Sequence, residues 1–325
     1  MRFCWIIERN ALEYFSKEGY SKNRVFPEVV RTLCRCDNFE IFDFQNRRRF
    51  WGLLFCGYFF RKDQVIINLR GRFLLVALLL RVVGFVRCNF LVIHYGSKSL
   101  LYNGFLKKLL FRSDGLLVMD VHQSLGYNCK VYKFRYGLDM AYFENIKKRG
   151  GEPNFHRGVV MHGDELRRDD LLLSVSGKLH YSVYRIGQYG IKLEGDRNRY
   201  TLSNVVVLSK LLDDDLYLIL TDSVFYLGLV DSSWQPAGWT AAIEALTLGK
   251  EVVLLEGLTS RLLKSSFPHL VDRIHVFTEG EIDDLVKFVN GNFFKWVDHG
   301  ITETFTIDHS IKDFQSILRD YSTSF

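Results

Sequence analysis

Short apolar runs alternate with longer amphipathic stretches along most of the chain. In the first half the apolar runs predict strands at Phe3–Ile7, Phe39–Phe42, Val65–Leu69, Phe90–His94, Gly115–Met119 and Lys130–Phe134. The stretches between them predict helices at Arg24–Leu33, Arg47–Phe59, Phe73–Phe85 and Ser99–Phe111. Strand–helix alternation of this kind implies an α/β protein with a parallel sheet covered on both faces. Ligands of such sheets bind beyond the carboxyl ends of the strands. Lys148–Asn154 joins charge, two glycines and a proline, and reads as a linker. The alternation then restarts, with strands expected at Gly158–Met161, Tyr181–Ile186, Val205–Leu208, Val224–Leu229, Glu251–Leu255 and Ile274–Phe277. Helices are expected near Glu165–Ser174, Leu212–Ile219, Thr240–Leu248, Ser260–Ser265 and Glu281–Val289. Ile307, Ile311, Phe314, Leu318 and Tyr321 have helical spacing, so a last helix is expected to pack back on the first domain. The expected domains are 1–150 and 151–325.

A length of 325 residues suits two such domains, and 48% hydrophobic with 25% charged residues is ordinary for a globular protein. Charge is what distinguishes the halves. Residues 1–150 carry 26 Lys and Arg against 12 Asp and Glu, and the remainder carries 17 against 25. A basic half suits nucleic acid, anionic lipid or a phosphorylated substrate. No nucleic-acid module is recognisable, so nucleic acid is not expected as a partner. Arg47, Arg48 and Arg49 run into an aromatic stretch ending at Arg61 and Lys62, a pattern that suits an anionic membrane surface or a core helix with a charged end. Phe73–Leu80 is the most apolar run, but it falls short of the roughly 20 residues a bilayer requires. It is read as a helix that is either buried or lying against a membrane. The six cysteines match no zinc or redox spacing and are expected as free thiols, which fits a reducing cytosol. With Glu8 and Glu13 interrupting the N-terminus, no secretory signal is expected, and the location is read as cytoplasmic, peripheral on the inner membrane face.

The stretch most informative about chemistry is Asp231–Leu255. It reads as a strand end, a turn of small residues, a helix opening near Gly238 or Thr240, a stop at Gly249 and a second strand. A helix opening after Ser232, Ser233, Gly238, Trp239 and Thr240 offers free N–H groups and a dipole to an anion, the alternative being ordinary capping. Asp213–Asp215 open another expected helix, where acids favour the dipole, and are read as capping rather than as metal ligands. His162, Asp164 and Glu165 are not assigned a metal either, and no metal or other cofactor is expected.

Three segments resemble the GT-B glycosyltransferases, in particular the family-4-like group. Tyr132–Phe143 resembles the passage out of that family's first domain. Asp213–Tyr226 is similar to its short helix followed by an apolar strand. Gly238–Val253, with Ile-Glu-Ala-Leu-Thr-Leu-Gly-Lys-Glu-Val-Val, is similar to its glycine turn and glutamate helix. The resemblance implies two doubly wound Rossmann-like domains and transfer of a sugar from a nucleotide-sugar to a glycan or lipid-linked glycan acceptor, as in surface polysaccharide assembly. It implies a ribose contact for Glu244 and diphosphate contacts for the turn before it. Arg167 and Arg168 stand where the family has a lysine, and with Arg185 are candidates to stabilise the leaving diphosphate. His94, at a strand end before Tyr95-Gly96, and His122, beyond Asp120, are candidates to contact a sugar hydroxyl or the donor phosphate. The resemblance leans towards retention of configuration, yet the family's first glutamate falls here on Pro236. Two other readings stay open: another transferase on the same frame, moving a pyruvyl or phosphoglycerol group, or a non-catalytic membrane-associated partner of polysaccharide assembly.

Overall fold

A computed structural model describes residues 1–7, 25–43, 63–67, 71–94, 114–119, 129–149, 158–163, 166–187, 204–209, 211, 213–233, 236–291 and 305–323. In chain order its elements are β1 (Arg2–Ile7), α1 (Val25–Leu33), β2 (Phe39–Asp43), β3 (Gln64–Ile67), α2 (Gly71–Val82), β4 (Asn89–His94), β5 (Gly115–Met119) and β6 (Val131–Phe134). There follow α3 (Met140–Arg149), β7 (Gly158–His162), α4 (Asp169–Ser176), β8 (Ser182–Gly187), β9 (Val205–Ser209), α5 (Asp213–Asp222) and β10 (Phe225–Gly228). The chain continues through α6 (Trp239–Thr247), β11 (Glu251–Leu255), α7 (Leu258–Ser266), β12 (Ile274–Phe277), α8 (Ile282–Gly291) and α9 (Ile307–Thr323).

The chain forms two compact units, Met1–Leu138 with Phe305–Phe325, and Asp139–Thr304. Each holds a six-stranded sheet, in the orders β2-β1-β3-β4-β5-β6 and β12-β11-β10-β7-β8-β9. All the strand pairings among the described residues are parallel. Strands covered on both faces have no polar side to show, which is why β1, β3, β5, β7 and β10 are buried almost along their whole length. The order reverses direction between β1 and β3 in the first unit and between β7 and β10 in the second. Residues 8–24 and 68–70, beyond the first of these points, lie outside the described residues.

The first unit closes with α9. Phe314 is fully buried, with its ring 5.8 Å from that of Trp5 on β1 and 4.9 Å from that of Phe134 on β6. Ile317, Leu318 and Tyr321 extend the same apolar stripe. Polar contacts fix its register: Arg135 pairs with Asp313 at 2.7 Å, and the Ser310 hydroxyl donates to the Arg135 carbonyl at 2.6 Å. Leu138 and Thr306 form an isolated parallel bridge. Gly137 lies so close to the Thr306 carbonyl that a Cβ there would overlap it.

The units divide at Leu138, not near Gly150. The reason is α3, a helix absent from the sequence reading. Its Tyr142 N–H is capped by the Asp139 carboxylate at 3.0 Å, and Phe143 and Ile146 are buried. Phe143 packs edge-on to Tyr217 of α5 at 5.0 Å, and the Tyr142 hydroxyl donates to Asp214 at 2.6 Å. The passage read as an exit is thus split at Leu138, and α3 after it belongs to the second unit. The expected helices at Arg47–Phe59 and Ser99–Phe111 lie outside the described residues. The apolar α2 is buried in part: Leu74, Ala77 and Leu78 enter the core, while Leu79 and Val82, and Val83 and Phe85 beyond its end, are exposed. Among the described residues no helix is long and apolar enough to cross a membrane.

Truncating Phe314 removes an aromatic ring from the junction of β1, β6 and α9. Phe314→Ala is expected to cost about 3–5 kcal/mol, read by chemical denaturation as an early transition of the first unit.

Candidate functional site

The second unit's reversal point lies between β7 and β10, and its polar residues gather at the carboxyl ends of those strands. The turn after β7 is built around Arg167. Its Nε and Nη2 both donate to the His162 carbonyl, the former at 2.9 Å. Gly163 has φ +108°, and a Cβ on it would overlap the Arg167 guanidinium. Leu166 also takes a left-handed conformation, φ 55°, which a branched side chain adopts only under constraint. Leu166–Arg168 then runs alongside the exit of β10: Arg168 N–H donates to the Leu229 carbonyl, Asp231 N–H donates to that of Leu166, and Arg167 bridges Val230. The two sides of the reversal point are therefore laced together by backbone hydrogen bonds.

On the other side α6 begins. Gly238 is its N-cap, with φ 77°, and no side chain caps the helix. The Trp239 N–H donates to Pro236 and that of Ala242 to the Gly238 carbonyl, which leaves the N–H groups of Thr240 and Ala241 to the first turn. Arg167 reaches this end too: a Cβ on Gly238 would stand 3.1 Å from its Nη1. Nη1 is a buried donor with no hydrogen-bond partner. A cation set against the positive end of a helix dipole is unfavourable unless an anion joins them. Ser232, 2% exposed, adds a hydroxyl that is buried without a partner. Gly257, the N-cap of α7, lies against that hydroxyl, and Leu258 N–H donates to the Ser232 carbonyl. The Thr259 hydroxyl, donating to the Ala237 carbonyl at 2.6 Å, ties α7 to the turn before α6. Two helix N-termini, a guanidinium N–H and a buried hydroxyl thus belong to one connected turn system, a donor set that suits a phosphate.

Beneath this turn Glu244 is buried in α6, and its Oε2 stands 3.6 Å from Nε2 of His162, the last residue of β7. The ring of Tyr226 on β10 meets the His162 ring edge-on at 5.4 Å. The Tyr226 hydroxyl is buried without a hydrogen-bond partner, and that burial raises its pKa, with nearby Arg167 acting in the opposite sense.

The remaining sequence candidates are distributed differently. Arg185 was expected to meet a leaving phosphate. It is instead 2% exposed on β8, where it pairs with Asp169 at 2.6 Å and donates to the Gly163 and Ile186 carbonyls at 2.6 and 3.0 Å. Its work is to hold the Gly163 turn, because a buried guanidinium requires a counter-charge and acceptors on its N–H groups. Arg168 is committed to Asp170 at 2.8 Å and to Glu279. The Ser233 hydroxyl and N–H turn back to the Asp231 carboxylate, at 2.7 and 3.2 Å. Trp239 is 2% exposed and stacks on Phe267 at 6.0 Å, so its side chain is core and its N–H is spent within the turn. His94 ends β4 in register with Val118, and its side chain lies outside the described residues, as do His122 and Arg47, Arg48 and Arg49. Asp213 and its neighbours open α5 as acids at a helix start. The sequence reading missed Tyr226 and Asp169, and it weighed His162 only as a metal ligand, a role it did not assign. The signal for His162 was an imidazole ending the otherwise apolar run Gly158–His162.

No family model matches the chain, and no curated protein sequence matches it. Solved structures do. The crystal structure of WaaG, a glycosyltransferase involved in lipopolysaccharide biosynthesis, superposes with a TM-score of 0.54 at 12% identity, over 89% of this chain and 90% of its own. That of AviGT4, a glycosyltransferase involved in avilamycin A biosynthesis, gives 0.52 at 9% identity, over 99% of this chain and 97% of its own. The fold is that of the GT-B glycosyltransferases. Identities this low carry the architecture and leave the chemistry to the residues.

The Arg185–Asp169 pair supports a direct test of the turn. Asp169→Ala leaves a buried guanidinium without its counter-ion and is expected to cost about 3 kcal/mol, measured by urea denaturation. The double variant Arg185→Met with Asp169→Leu is expected to recover most of that loss.

Proposed function

We propose that the protein is a glycosyltransferase whose second unit holds a nucleotide-sugar between β7 and β10. The observation that carries the reading is the unpartnered Arg167 Nη1 at the uncapped start of α6. Together with the buried Ser232 hydroxyl and the carboxylate of Glu244, it forms a site for a diphosphate joined to a ribose. The phosphates' charge is met by Arg167 and the helix N-termini, and the reading calls on no divalent ion. When the bond from the sugar's anomeric carbon to the diphosphate breaks, negative charge grows on the leaving oxygen. Donors held rigid by the Gly163 and Gly238 turns would stabilise it without reorganising. The incoming hydroxyl belongs to the acceptor, whose binding falls to the first unit. A basic balance in residues 1–150 suits an anionic or lipid-linked glycan, with the protein peripheral at a membrane's inner face. His94 and His122 are the candidates to contact the sugar or the donor phosphate. Ser233, Gly238, Trp239, Thr240 and Arg168 contribute through backbone and turn geometry rather than through free side chains. Arg185 supports the turn from behind.

Calorimetry against UDP, GDP and ADP tests the reading. One of the three is expected to bind, and at a hundredfold excess over its Kd to stabilise the protein by about 2.7 kcal/mol. Arg167→Gln should weaken that binding by about tenfold or more, as expected for a lost charge-assisted hydrogen bond. Absence of binding by all three would refute it. A donor-hydrolysis screen across common nucleotide-sugars then identifies the sugar.

A further inference from the structure

The far end of α2 has no part in the nucleotide site, yet its surface is unusual. Seven large apolar side chains are exposed among the described residues, and four of them, Leu79, Val82, Val83 and Phe85, fall in the single stretch Leu79–Phe85. Val83 and Phe85, 64% and 63% exposed, are the most exposed of the seven. Scattered apolar side chains on a surface are ordinary, whereas a cluster of them marks a contact. An anchor on each side holds this cluster out. Before it, Arg81 forks onto the Asp114 carboxylate, with Nη2 and Oδ1 2.7 Å apart, and the same carboxylate accepts from the Phe90 N–H at 2.7 Å. After it, Val86 and Cys88 are buried in the core. Between the anchors Gly84 takes φ +83°, and a Cβ on it would meet nothing within 4 Å.

The turn also satisfies its own backbone. The carbonyls of Leu79, Leu80 and Arg81 accept from the N–H groups of Val83, Phe85 and Gly84 at 3.2, 2.9 and 3.0 Å. The last carbonyls of a helix otherwise turn to water. With these three met internally, the tip can enter a layer poor in water without leaving them bare.

Charge indicates what that layer is. From Leu79 to Cys88 the only charged residues are Arg81 and Arg87. Arg81 is committed to Asp114, while Arg87 is exposed and has no ion pair among the described residues. Arg87 leads into β4 at the amino edge of the first sheet. At or just ahead of the strand starts on that edge, the exposed charged residues among those described are Arg2, Arg35, Arg87 and Lys130 against Asp37 and Asp63. Apolar side chains beside a guanidinium on a basic edge complement negative headgroups lying over hydrocarbon. A second copy of the chain fits less well. Four side chains on one turn offer far less than the roughly 800 Å² per partner of a specific interface, and pairing through them would bring two basic edges together.

The geometry points to the tip Leu79–Arg87 as a docking surface for an anionic lipid bilayer, with Val82, Val83 and Phe85 entering the boundary between headgroups and acyl chains and Arg87 meeting a lipid phosphate. This deepens the membrane part of the reading above and rests on it only there. The carboxyl edge of the same sheet, where a ligand is expected, lies at the opposite ends of the strands and stays open.

Co-sedimentation of the full chain with vesicles tests the surface. Binding is expected to an equimolar mixture of phosphatidylglycerol and phosphatidylcholine, and little to phosphatidylcholine alone. Val83→Ser combined with Phe85→Ser should weaken partitioning by at least about tenfold through lost apolar contact. Arg87→Gln should weaken it about fivefold. Leu173→Ser combined with Val271→Ser, at exposed apolar positions of the second unit, should change nothing. All these side chains are exposed, so denaturation midpoints are expected to match the wild type. In Phe85→Trp, quenching by brominated acyl chains should exceed that in the wild type, which reports insertion. Absence of binding to either vesicle, or equal partitioning of the Val83 and Phe85 variant and the wild type, would overturn the docking surface and leave the nucleotide site standing. So would a dimer in free solution that this variant dissociates. Tip-dependent vesicle binding by a chain that takes up none of the three nucleotides would support the tip and refute the nucleotide site.

Discussion

A parallel sheet has no face to spare for water. Both of its surfaces must be covered by helices, and every strand must run through an apolar layer before its backbone can turn towards anything polar. In this chain that constraint decides where chemistry is allowed. The interior of β7 is Val and Met, that of β10 is Phe, Leu and the single buried Tyr226, and the charged side chains appear only where the strands end. His162, Arg167 and Ser232 stand within a few residues of those ends, and Glu244 reaches them from the adjacent helix. The same requirement explains α9. Without Phe314 and its neighbours, β1 and β6 would leave Trp5 and Phe134 partly uncovered.

At the reversal point the backbone rather than the side chains does most of the shaping. Glycine at positions 163 and 238 permits positive φ and also makes room for one guanidinium between two turns. Arg167 is thereby tied to a carbonyl on one side and left with a free N–H on the other. Arg185 secures the same turn from the sheet side through the Gly163 carbonyl. Two arginines of similar sequence prospects therefore end in opposite situations. One is satisfied by a carboxylate and carbonyls, and the other lacks an acceptor where a helix dipole also calls for an anion.

Much of the architecture was legible from periodicity. The strands from Arg2 to Ile7 and from Glu251 to Leu255, and the helix carrying Glu244, lie within a residue or two of their expected limits. Continuous apolar runs and amphipathic stretches are read easily where burial on two faces fixes composition. α3 escaped because its polar face, Glu144, Lys147, Lys148 and Arg149, resembles a charged linker, and its apolar face is short. Asp139, a helix cap ahead of Phe143 and Ile146, was the available signal. For the site, the small-residue turn pointed to an anion. Which arginine would be free could not be read, because two of the partners that commit Arg168 and Arg185 stand well away from them in sequence. Asp169 and Glu279 are those partners, and neither stands out along the chain.

Unit one is discontinuous, and this has a bearing on how the polypeptide emerges from a ribosome. Arg135 meets Asp313 across 178 residues of sequence, and the whole second unit is translated between them. The second unit is contiguous and has all its strands in hand before α9 exists. The amino-terminal lobe, though made first, waits with an open apolar seam beside Trp5 until its closing helix arrives. Order of synthesis and order of completion are thus inverted in this molecule, and its nascent form exposes a sticky surface for the time needed to translate an entire domain.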